Sequence, residues 1–333
     1  MLDRTYKKHI RNSKLLSDSS KNLYLKRLDV IQNEIWLNCS TTRKVGKGKC
    51  LEYIINHPEA FLDKMNEYVN KTSGRLDNNK LSIHARDGYV SAIGALFRHT
   101  PGMIQKKTEL YKKWTDLHQE IREDINNQKY HTNKPSKENS YVSFEELEKT
   151  RNKQKIGSFE RLLLSMYTLI PPVRSDYDKV IIYNNSDNIR EDIRNYMVLS
   201  NKENYIVLRE YKTNNKYKDQ IINLPSNLLK EINKSLELYP RDYLFVSLQK
   251  KTELKPFEKP NSFNKWANRI LKKLFDKKNI TLTTLRHIYI TRRDLKLEEK
   301  SGLERNKIAK QMGHSISTQQ NYLWHTYANE IKK

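Results

Sequence analysis

Residues 126–141 read NNQKYHTNKPSKENSY, a polar, basic, proline-containing run with no apolar periodicity. Such a run has no face to bury and reads as a linker. It divides 333 residues into two lengths that are each large enough for a domain. The chain must therefore build two cores rather than one. Because it is basic, the run could follow a phosphate backbone as readily as it could be a plain solvated loop.

Residues 1–125 open with a polar stretch and then read as all-helical. Ser17-Asp18-Ser19-Ser20 offers N-cap chemistry, followed by Leu23, Leu28, Ile31 and Ile35 at helical spacing. Further helices are expected near 47–56 and 58–70, the second opening on Pro58 at a first-turn position. Ile83, Tyr89, Ile93, Leu96 and Phe97 form an apolar stripe after Ser82, and Lys106 to Ile125 extends to one more helix. Strand signal is scarce.

Residues 142–333 are mixed. Ser143-x-x-Glu146 matches a capping box. The apolar helix from Phe159 to Ile170 must stop before Pro171-Pro172. Asn204 to Glu210 and Asp219 to Leu224 read as strands joined by the polar turn YKTNNKYK. Ser226 is expected to cap a helix bearing Leu228, Leu229, Ile232 and Leu236; Tyr243 to Ser247 reads as extended. Phe263, Trp266, Ile270, Leu271 and Leu274 mark another helix. Thr283 or Thr284 caps the helix holding Arg286, and the helix through Ile308 to Met312 ends at Gly313. The fold class is mainly α with a small antiparallel β-sheet, an α+β arrangement.

Lys and Arg outnumber Asp and Glu by 63 to 39, a formal net charge of +24. Self-repulsion of that size calls for a polyanionic partner, with nucleic acid ahead of a membrane surface. No apolar run approaches the length of a membrane span, and MLDRTYKKHIRNSK lacks the apolar core of a secretory signal. The expected setting is intracellular. Cys39 and Cys50 are the two cysteines and have no ligand-like spacing to histidine, which argues against zinc. No cofactor is expected.

Several residues carry chemistry beyond charge. Arg174 follows a helix and a Pro-Pro break, where a rigid element end can present a planar fork to phosphate; a salt bridge to Asp176 or Asp178 is the plainer alternative. Lys212 lies on the turn, where it could protonate a leaving oxygen, with Lys216 and Lys218 competing. Arg286 and His287 are adjacent on a helix and point about 100° apart, so at least one is available to a site. His287, with apolar flanks, could equally be a buried structural histidine. His314 lies in a turn, and Tyr322 follows eight residues later. A phenol, with a pKa of about 10, needs cationic neighbours to become a nucleophile. With 20 tyrosines in the chain, Tyr322 alone means little, and Tyr327 is a nearby decoy.

Taken together, PPVRSDY, YKTNNKYKDQIINLP, TLRHIYIT and MGHSISTQQNY resemble the tyrosine recombinase (phage-type integrase) family. PPxRxDY and TQxxY look like a branch found in large DNA viruses and related mobile elements. The resemblance covers about 145 to 325 and implies a catalytic domain of that type. The helical half resembles the family's core-binding domain in style but lacks a sharp motif.

The resemblance implies metal-free cutting and rejoining of double-stranded DNA by a homotetramer on two duplexes. Tyr322 would be the nucleophile, Arg174 and Arg286 the phosphate clamps, Lys212 the acid, and His314 a hydrogen-bonding partner assisted by His287. Thr283 stands where the family usually has histidine or lysine. Tyr177 replaces a usual acidic residue, with Asp176 expected to buttress instead. A type IB topoisomerase-like relaxation and a non-catalytic DNA-binding relic are the rival readings.

Overall fold

A computed structural model describes residues 2–36, 48–68, 76–77, 80–132, 140–187, 189, 192–249, 253–257, 259, 261–276, 278–292, 297–320 and 322–324. The chain forms two compact units, Met1–Thr132 and Asn133–Lys333.

The first unit is helical: α1 (Leu2–Asn12), α2 (Asp18–Val30) running on into a π-helical turn (Ile31–Trp36), α3 (Cys50–Asn56), α4 (Pro58–Glu67), a two-residue ribbon of β1 (Leu76–Asp77) and β2 (Lys80–Leu81), then α5 (Ile83–His99), α6 (Met103–Lys106) and α7 (Thr108–Thr132). Ser17 caps α2 as the sequence implies, accepting from the Ser20 N–H. Helix α5 buries Tyr89, Val90, Ala92, Ile93, Ala95, Leu96 and Phe97 and forms the centre of the unit. Buried Asp3 caps α3 from outside it, with its carboxylate accepting from the N–H groups of Cys50 at 3.0 Å and Leu51 at 3.1 Å. Helix α7 continues into the stretch read as a linker, because extending an existing helix avoids the cost of nucleation. Residues 133–139 of that stretch, and Cys39, lie outside the described residues.

The second unit comprises α8 (Phe144–Lys153), α9 (Phe159–Thr168), β3 (Ile181–Tyr183), β4 (Asn195–Leu199), β5 (Asn204–Leu208), α10 (Asn214–Tyr217), β6 (Gln220–Asn223), α11 (Ser226–Leu238), β7 (Ser247–Gln249), β8 (Glu253–Lys255), α12 (Ser262–Leu274), α13 (Leu282–Thr291), a 3-10 turn (Leu297–Glu299), α14 (Gly302–Gln311) and α15 (Ile316–Gln320). The α+β class holds. The main sheet is mixed, in the order β3-β4-β5-β6: β3 runs parallel to β4, and the other pairs are antiparallel. The sequence reading missed β3, which has three residues, and β4, which is buried along four of its five and so shows no alternation. Tyr243 bridges Ile181, so the extended stretch after α11 lies along β3.

Pairing of Leu208 with Gln220 fixes which sheet face is apolar. Ile206, Leu208 and Ile222 join the main core, whereas Tyr196, Val198 and Val207 form a small cluster on the other face. Helix α9 stops at Thr168, ahead of the prolines, as expected. Helix α13 is buried on nearly every face, including Leu285, Arg286, Ile288, Tyr289 and Thr291.

Two caps differ from expectation. Pro225, not Ser226, is the N-cap of α11, since Ser226 already has helical geometry. Thr281, not Thr283 or Thr284, caps α13, its hydroxyl accepting from the Thr284 N–H at 3.2 Å. Thr283 is therefore inside the first turn, and its side chain is exposed. Among the described residues no helix is long and apolar enough to cross a membrane.

Candidate active site

The site is organised around the end of α14. Gly313 has φ +69°, the left-handed conformation that ends a helix without a Cβ clash. Its N–H donates to the Lys310 carbonyl at 2.9 Å, and the His314 N–H reaches back to Ala309 at 3.0 Å. This is a Schellman turn, and it leaves the carbonyls of Met312 and Gly313 facing away from the helix. Three donors from distant parts of the chain converge on those two oxygens. Arg286 Nη2 donates to Met312 at 3.0 Å, Arg174 Nη1 to Gly313 at 3.3 Å, and Thr213 Oγ1 to Gly313 at 2.8 Å. One glycine turn thus gathers the segment after the Pro-Pro break, the turn after β5 and the central helix.

Arg174 is half-buried, and its carbonyl accepts from the buried Tyr167 hydroxyl. Its loop is tied to the end of β5 through Asn195, whose amide nitrogen donates to the carbonyls of Asp176 at 3.2 Å and Glu210 at 3.1 Å. Asp176 sits near both arginines. Burial raises its carboxyl above the usual range, opposed by the fields of Arg174 and Arg286. The neighbouring Tyr177 ring is wholly buried.

Arg286 is 1% exposed, yet among the described residues it has no ion pair at close range; its Nε and Nη1 have no protein partner. Burial lowers its affinity for its proton, the Tyr322 phenol opposes that, and Arg174 adds to it. Its guanidinium carbon lies 4.9 Å from the centre of the Tyr322 ring.

His314 is 2% exposed. Its Nδ1 lies 3.1 Å from the Ser315 carbonyl and so must carry the proton, leaving Nε2 bare and without a partner in the neutral ring. Burial first, then Arg286, pushes its pKa down to about 4. Ser315 starts α15, its hydroxyl accepting from the Thr318 N–H at 3.3 Å. This short helix turns the chain back so that the Tyr322 ring stacks on His314 at 5.2 Å and 18°. The eight-residue spacing is thus the length of a cap plus a short helix.

His287 faces the tyrosine backbone. Its Nδ1 lies 2.9 Å from the Tyr322 carbonyl, and its ring stacks on Trp324 at 4.5 Å and 6°. Burial brings its pKa to about 4. Lys212 is exposed on the turn, outside the buried cluster and next to Thr213. Lys218 is exposed as well; the side chain of Lys216 and all of Tyr327 lie outside the described residues.

The structure therefore groups Arg174, Arg286, His314 and Tyr322, places His287 behind Tyr322, and leaves Lys212 at the rim. Sequence reasoning did not single out Tyr167, Asn195, Thr213 or Thr291. Asn195, Thr213 and Thr291 bond to partners 15 or more positions away, and Tyr167 bonds to the Arg174 backbone across the Pro-Pro break, so no repeating local spacing marks them.

No protein-family model matches this chain, and no curated protein matches it. Among solved structures, the crystal structure of XerA recombinase is similar with 15% identity and a TM-score of 0.39, over 96% of this chain and 93% of that one.

Proposed function

We propose that this chain is a tyrosine recombinase, which cuts and rejoins double-stranded DNA through a 3′-phosphotyrosine intermediate. The observation that carries the reading is the set of buried nitrogens around the Tyr322 ring. Arg286 Nε and Nη1 and His314 Nε2 have no protein partner, although leaving such groups unsatisfied costs on the order of 1–3 kcal/mol each. A cationic, donor-rich pocket next to a phenol fits a phosphodiester.

The Tyr322 oxygen attacks phosphorus, and the bond from phosphorus to the 5′-oxygen breaks. Arg174 and Arg286 hold the non-bridging oxygens as charge grows on them. The bare Nε2 of His314 can take the phenol proton, because Nδ1 is already committed to Ser315. Lys212, at the rim, gives a proton to the departing oxygen. Reversal with a 5′-hydroxyl from a second strand restores each proton and reseals the backbone. Metal and nucleotide hydrolysis are not required, since the phosphotyrosine conserves the bond. Strand exchange between two duplexes calls for four such chains.

The test is covalent trapping on duplexes with a bridging 5′-phosphorothiolate, whose thiol leaving group cannot reseal. An adduct formed by the native chain and lost in Tyr322→Phe is the expected result. DNA binding without any adduct would leave a DNA-binding relic in its place. Joining of two marked duplexes, as against relaxation of one supercoiled circle, separates recombination from topoisomerase action.

A further inference from the structure

We propose that Thr291 and Trp324, together with His287, are positioning residues that set the reach of Tyr322 by pinning its backbone to α13. The proposal rests on the recombinase reading for its catalytic consequence, but the contacts stand independently of it. The Tyr322 carbonyl accepts from His287 Nδ1 at 2.9 Å. Two residues on, the Trp324 N–H donates to Thr291 Oγ1 at 3.1 Å. His287 and Thr291 are four residues apart and so share one helix face. The segment is thus held at two points directly after the nucleophile's exit from the backbone. Trp324 reinforces the hold by stacking face to face on the His287 ring, and it is 6% exposed, with Leu323 at 9%.

The same helix carries Arg286, whose side chain faces the Tyr322 ring. One rigid element therefore carries a phosphate-facing cation and also sets the distance from the phosphate to its attacker. Reaction rate depends steeply on that distance: a displacement of about 1 Å costs on the order of 100-fold. A hydroxyl in the fifth position after Arg286 is thus expected to act on rate without touching DNA.

The experiment compares Thr291→Val, which keeps the shape and loses the acceptor, with Thr291→Ser, which keeps the oxygen. The probe is a pool of random-sequence duplexes with a bridging 5′-phosphorothiolate. Thr291→Val is expected to slow adduct formation about 10- to 100-fold, and Thr291→Ser to restore most of it. A second readout uses hydrogen peroxide as the attacking nucleophile in a Tyr322→Phe background. There Thr291→Val should change cleavage by less than about twofold, because the arginines still bind phosphate and no tyrosine needs placing. Equal losses in both assays, or no loss in the first, would overturn the proposal. Hydrogen exchange of the Trp324 amide tests the latch without chemistry: its protection should fall in Thr291→Val and hold in Thr291→Ser. If the native chain forms no adduct on any duplex, the recombinase reading fails, and the exchange result alone decides the latch.

Discussion

The guanidinium of Arg286 faces the ring of Tyr322, with 4.9 Å between its carbon and the ring centre. Both groups owe this to packing: Arg286 projects from a helix buried on nearly all sides, and Tyr322 is turned onto it by α15. A cation over a phenol face is favourable, but it does not satisfy a guanidinium's in-plane donors, two of which stay unpartnered. The chain thus keeps a buried positive charge at a cost.

Replacing that charge should separate stability from function. Arg286→Met is expected to raise the unfolding free energy by about 1 kcal/mol or more, since an apolar chain of similar size removes the desolvation penalty. The same variant should lose on the order of 10²–10³ in adduct formation. Denaturant unfolding and covalent trapping check the two halves. A destabilised Arg286→Met would mean that the guanidinium serves the fold.

Acid should weaken the second unit through its histidines. The pKa values of His287 and His314 are both held near 4, below the ordinary 6.5. An unfolded chain therefore takes up protons that the native one refuses. Stability is fully present above about pH 6.5 and is lost as pH falls toward 4, by at most about 3 kcal/mol per ring. Asp176 and Asp178, whose carboxyls are raised by burial, act in the opposite sense. The informative comparison is thus native against His314→Gln by urea unfolding at about pH 7 and about pH 4.5, with a shallower loss expected in the variant.

Gly313→Ala tests the turn that gathers the site. An added Cβ would meet only ordinary contacts, the nearest being the Tyr211 ring at 3.6 Å. The cost should be that of the backbone, about 1–2 kcal/mol for an L-residue at φ +69°. Any relaxation of that strain moves the Met312 and Gly313 carbonyls, so adduct formation is expected to fall along with the melting temperature. Unchanged chemistry would mean that those carbonyls do not set the arginines.

Asp3→Ala should act on the first unit alone. It removes the two backbone bonds at the start of α3 and one from the Gln32 amide, with an expected cost of about 1–2 kcal/mol. Adduct chemistry on α13 should be unaffected at temperatures where the unit stays folded. Denaturant unfolding of native and variant chains provides the measurement.

Duplex affinity should fall steeply with salt, as befits a chain of net charge +24. For several phosphate contacts, a loss of about 10³ or more is expected between about 50 and about 200 mM salt. A flat response would remove the phosphate backbone as the main partner.

Residue order and local chemistry were enough to place most of the longer helices, though not α1, together with the β5–β6 pair and the glycine that ends α14, and to single out Arg174, Arg286, His314 and Tyr322 as candidates. These signals are short-range: apolar periodicity, prolines, caps and fixed spacings act within a turn or a strand. Folding in space was needed to show that His287 turns its Nδ1 to a tyrosine carbonyl, that Thr213 and Arg174 share the Gly313 oxygen, and that Lys212 stays outside the buried cluster. It was needed, too, for the parallel β3–β4 pair, which has no hairpin turn to mark it. A hydrogen bond between residues a hundred positions apart leaves no period to read, because its partners are brought together by the burial of a common core and not by their place in the sequence.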